Sequence, residues 1–123
     1  MPWEVRLLED LKIVETIYSG HITPQDLQDA VIATTSLAHE SNTNRYLSDC
    51  VGLERGHSIV DLFDLVESLY QGAIAHLAKE AIVLPESEDV ERHVHFYETA
   101  CRNRGFNVRA FRDRQAAIAW LNE

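Results

Sequence analysis

Asp49, Cys50 and His57 place a carboxylate, a thiol and an imidazole in one short stretch. A cysteine attacks as its thiolate, so it needs a base nearby, and an Asp–His pair is one way to supply it. No GxSxG or HExxH pattern accompanies the three residues. A cysteine beside a strand-end aspartate is also ordinary in a protein core, so we read the chain as non-enzymatic, with this trio as the only enzyme alternative. Ser58 follows at once and opens a helical pattern, where its hydroxyl caps free backbone amides. The residues before it, Gly52, Arg55, Gly56 and His57, form a glycine-containing loop suited to partner contact. Arg112 and Arg114 flank the start of another helix and are the candidate contacts for an anion.

Other chemistries lack their residues. His93 and His95 are two apart on a helical pattern and so point to different faces. No Cys/His spacing matches a zinc site. There is no GxGxxG and no GxxxxGK[ST] to cradle phosphate. We therefore expect no metal and no cofactor.

The elements that must position these groups are marked by their caps and periodicity. Trp3 to Leu8 reads as a strand, Glu9-Asp10 as a tight turn, and Leu11 to Ser19 as a second, antiparallel strand. Gly20-His21-Ile22 is expected to break it. Thr23 caps a helix with Pro24 in its first turn, and Leu27, Val31, Thr34 and Ala38 share a face. Arg45 to Val51 is a strand, Gly52 to His57 a loop, and Ser58 the cap of a helix carrying Ile59, Leu62, Phe63, Val66, Leu69 and Tyr70. Ala81 to Leu84 is a strand, Ser87 caps a long helix ending near Gly105, Phe106 to Phe111 alternates as a strand, and Asp113 caps a last helix. The order ββαβαβαβα predicts an α/β fold. Its sheet is mixed, mostly parallel and five-stranded, with the first strand antiparallel at an edge and helices on both faces.

Composition limits the partners. The 123 residues fit one domain, and 46% hydrophobic with 25% charged residues suits a packed core rather than a disordered chain. A formal net charge of −9 disfavours nucleic acid and anionic membranes. Cys50 and Cys101 lie far apart without a CxxC pattern and are read as reduced. With no signal-peptide pattern at the start and no apolar run long enough for a bilayer, a cytoplasmic location is expected.

The chain resembles the SpoIIAA-like group of the STAS superfamily, the fold of bacterial anti-sigma-factor antagonists. The resemblance is carried by the opening hairpin, by Tyr18-Ser19-Gly20-His21-Ile22-Thr23 leading into the first helix, and by Phe111-Arg112-Asp113 with Ala116, Ala117, Trp120 and Leu121. It implies a regulatory, protein-binding module. In that group's sigma-antagonist branch a serine opening the helix after the third strand is phosphorylated. The nearest counterpart is Ser58, preceded here by His57 and followed by Ile59, which makes Ser58 a candidate phosphoacceptor as well as a cap. The expected partner is a protein, with a homodimer through a helix face or a sheet edge as one form. The alternative is a carrier or sensor of a small apolar or lipid-like ligand held between helix and sheet.

Overall fold

The computed structural model describes residues 2–55 and 78–123, with Arg55 described by its backbone alone. The helix expected from Ser58 lies outside these residues. Strand β1 spans Trp3–Leu8 and β2 spans Ile13–His21; α1 follows over Pro24–Glu40 and β3 over Arg45–Arg55. After the interval come β4 (Lys79–Val83), α2 (Glu88–Asn103), β5 (Asn107–Phe111) and α3 (Arg114–Leu121). The five strands lie in sequence order, β1 antiparallel to β2 and the rest parallel. This is the expected mixed sheet.

The caps form where the sequence puts them. Thr23 accepts from the Asp26 amide while Asp26 accepts from the Thr23 amide, a reciprocal capping box with Pro24 in the first turn. Ser87 caps α2 and Asp113 caps α3. Gly105 takes φ +86° just after α2, where a side chain would be strained.

Side-chain alternation divides the sheet into two faces. On one, Ile22, Cys50, Leu53, Ile82 and Val108 pack against Leu27 of α1 and Val94 and Cys101 of α2. On the other, Ile13, Leu47, Ala81 and Val83 pack against Ala117 and Leu121 of α3. Helices thus cover both faces. Among the described residues no helix is long and apolar enough to cross a membrane.

Three boundaries differ from the sequence pattern. The hairpin turn runs through Lys12, whose φ is +56°, so Leu11 belongs to the turn and β2 begins at Ile13. Gly20 and His21 continue β2 instead of breaking it. They pair with Leu53 and Arg55, so Gly52 to Arg55 is strand and not loop. The register slips between Ile17 and Ser19 and again between Gly20 and His21. Such bulges let a strand continue through residues that read as a stop. Gly20 takes φ +67°, and a Cβ there would meet nothing within 4 Å, so the need for glycine is conformational rather than steric. Finally, β4 starts at Lys79, two positions before the expected Ala81, which brings Glu80 into the sheet.

Candidate functional site

The carboxyl ends of parallel strands are where open α/β sheets place ligands and partners. Here those ends are uneven. β3 pairs with β4 only as far as Asp49, yet continues to Arg55 alongside β2. Its last part with Ser19–His21 forms a two-stranded ribbon that projects past β4. Within it, Cys50 and Leu53 turn into the core, while Val51, Gly52 and Glu54 are exposed. Val51 is one of two large hydrophobic residues exposed among those described, at 42%. Of the expected contact loop, Gly52 and Arg55 therefore sit on this ribbon; Gly56, His57 and Ser58 lie outside the described residues.

The enzyme trio is pulled apart at its first two members. Consecutive strand residues point to opposite faces. Asp49 faces α3, its carboxylate 3.8 Å from the Arg114 guanidinium and accepting the Val51 amide at 3.0 Å. Cys50 points into the core beneath α1 and α2. Burial, reinforced by Glu80 and Asp49, pushes its thiol well above the ordinary value. A thiol held protonated is a poor nucleophile. Cys101 is similar, pushed up to about 12 by burial and by Glu80, against a hydrogen bond with Tyr97.

Arg112 and Arg114, the candidate anion contacts, are engaged by the protein's own carboxylates. Arg112 makes a two-pronged pair with Glu91 at 2.7 and 2.9 Å. Arg114 donates to Glu15, which also accepts from Arg6 Nε at 2.7 Å. The Glu15 side chain is 0% exposed beneath the two guanidinium groups, whose side chains are 52% (Arg6) and 38% (Arg114) exposed. Burial opposes its ionisation, but the hydrogen bonds and charges of Arg114 and Arg6 outweigh that and hold the carboxyl below its ordinary value. The α3 N-terminus is also occupied, since Asp113 accepts from Gln115 and Ala116. An incoming anion would have to displace these carboxylates.

A second acidic centre, on the other face, escaped sequence reasoning. Glu80 Oε1 accepts from Tyr97 at 2.7 Å and Oε2 from Ser48 at 2.8 Å. Burial raises its pKa despite those two bonds. In turn, burial and the Glu80 charge raise the phenols of Tyr46 and Tyr97; for Tyr18, burial comes first, then Cys50, then Glu80. The signal was its register: Glu80 pairs across the sheet with Tyr46 and Val108, so it shares their face. The centre can hold a proton, but no described cation adjoins it to poise a reaction.

An open depression of about 690 Å³ lies between the hairpin turn and α3, lined by Leu7, Leu8, Glu9, Asp10, Leu11, Arg114 and Ile118. Its charged rim and openness do not suit an apolar ligand, which gains most from enclosure. Among the described residues no three His, Cys, Asp or Glu side chains converge as metal ligands would. Compared with family models and with curated proteins, the chain matches none.

Proposed function

We propose that this chain is a non-enzymatic, cytoplasmic regulatory module of the SpoIIAA-like kind that binds a partner protein. Its docking surface is the projecting β2–β3 ribbon and the segment from Gly52 to Ser58, with Ser58 as the phosphoacceptor. The observation that carries this proposal is the run of β3 beyond its pairing with β4, which leaves the backbone of Cys50–Arg55 without β4 as a neighbour and sets Val51 and Glu54 outward. A strand segment that extends beyond its neighbour, next to an exposed apolar side chain, is what a partner chain uses for affinity and specificity together. The net charge of −9 directs the choice toward a partner with a basic surface.

The test is capture from the native cell with the full chain, comparing wild type, the double variant Val51→Arg with Glu54→Lys, and Ser58→Asp. A discrete partner held by wild type should be lost at least about tenfold with the double variant, as expected for central contacts. Ser58→Asp should change capture in either direction. Melting temperatures should stay within a few degrees, since the ribbon substitutions are on the surface. Equal capture by all three proteins would overturn the proposal.

A further inference from the structure

The two margins of the sheet are treated differently. At the β5 margin, Leu84 donates to the Phe111 carbonyl, so the Phe111 carbonyl faces β4 and the Ala110 amide faces outward. That amide is taken by Glu98 of α2 at 2.9 Å. At the other margin, β1 pairs with β2 alone among the described residues.

The hydrogen-bond parity of β1 follows from one contact. Ser19 donates to the Pro2 carbonyl at 2.9 Å, and the β1–β2 register is unbroken from Trp3↔Tyr18 to Leu8↔Ile13. In an antiparallel pair, residues alternate between bonding their neighbour and facing away. Glu4, Arg6 and Leu8 therefore bond β2, whereas Trp3, Val5 and Leu7 present their amides and carbonyls at the free margin.

We propose that two copies of this chain pair through β1, antiparallel, about a two-fold axis at Val5. Only registers that bring outward-bonding residues face to face satisfy the backbone. Three of these are centred on the body of the strand. One centred at Trp3/Val5 sets Glu4 against Glu4, and one centred at Val5/Leu7 sets Arg6 against Arg6; like charges directly opposite are unfavourable. Centring on Val5 instead sets Glu4 against Arg6 of the second copy, twice. It also sets Trp3 against Leu7 of the second copy and Val5 against its equivalent on the face beneath α1. About six backbone hydrogen bonds would form.

The side chains are ready for this register. Glu4 is exposed, and its side chain has no hydrogen bond or ion pair among the described residues. Arg6 bonds Glu15 through Nε, leaving its two terminal nitrogens for Glu4 of the second copy. Trp3, Val5 and Leu7 are half-buried, so pairing removes their remaining apolar surface from water.

The test is sedimentation of the full chain over a concentration series. Wild type should reach a dimer. Val5→Pro removes only the outward amide and leaves the β1–β2 ladder intact, so it should give a folded monomer. Glu4→Arg should raise the dissociation constant about tenfold or more, because two attractive pairs become repulsive. Val5→Cys should cross-link on mild oxidation, since a directly opposed bonded pair has the Cα spacing a disulfide needs, and Glu4→Cys should not. Native Cys50 and Cys101 are buried and should not compete. A wild type that stays monomeric would overturn the proposal. So would a dimer that survives both Val5→Pro and Glu4→Arg, or cross-linking at position 4 in preference to 5.

Discussion

Glu15 and Glu80 sit on opposite faces of one sheet, and their carboxyl groups are pushed in opposite directions. Both lose water. Glu15 lies under two guanidinium groups and is held ionised below its ordinary value. Among the described residues, Glu80 accepts from hydroxyl groups alone, those of Ser48 and Tyr97, and is driven upward. Neutral donors stabilise a carboxylate less than full charges do, so desolvation wins at Glu80 and loses at Glu15. Removal of water is common to both; the charge of the lid decides the sign.

The largest effect should come from breaking the charged lid. Glu15→Ala leaves Arg6 and Arg114 facing each other without their shared carboxylate. Stability measured by urea unfolding at neutral pH should fall by about 3 kcal/mol, at the lower end for a covered ion pair because both arginines reach solvent. Across pH the sign is fixed. A lowered folded-state value means that Glu15's contribution is complete above the unfolded value near 4.5 and is lost as pH falls through the folded value. The deficit of the variant should therefore shrink in acid. A deficit that grows in acid would contradict the pairing.

Tyr97→Phe should cost about 1.5 kcal/mol, since it removes a short bond to a carboxyl that then has only Ser48. It should also raise the Glu80 value further, which carboxyl-labelled NMR would follow. The smallest effect, and the one of opposite sign, is expected for Glu80→Gln. A raised folded-state value makes Glu80's contribution complete below about 4.5 and lost as pH rises through the folded value. The glutamine has no charge to desolvate, so the variant should gain about 1 kcal/mol over wild type near pH 7.5 and nothing near pH 4. A loss at pH 7.5 would mean that the carboxylate, not the acid, is the form the fold prefers.

Much of the architecture was legible because it is written locally. Thr23, Ser87 and Asp113 bond amides within their own first turns, so residue type and spacing suffice to place three helices. The short hairpin connection likewise placed β1 antiparallel at an edge, and alternation identified β5 as a strand. The long ribbon was not legible. Gly20 and Gly52 are turn residues by composition, and only their pairing across α1, with two slips of register, makes them strand. The charge centres were hidden for a related reason. Period-two alternation tells which face a side chain takes but not what covers that face. Alternation puts Glu15 on one face of β2 but cannot show its lid, part of which comes from Arg114, 99 positions away. The partners of Arg112 and Arg114 are likewise remote in sequence, so residue type alone could name the two as a candidate anion contact but not say which carboxylates hold them. Glu80 fell outside the expected strand by one residue, and its inward register went with it.

The Glu98 carboxylate on the Ala110 amide bears on how far association can run. A sheet with two receptive margins can recruit copy after copy and lengthen into a fibre. On the pairing proposed through β1, two copies would form one ten-stranded sheet whose remaining rims are the two β5 strands, each with its outward Ala110 amide already taken by Glu98. Loss of the Glu98 carboxylate would open one more hydrogen-bonding position on that rim to a further strand.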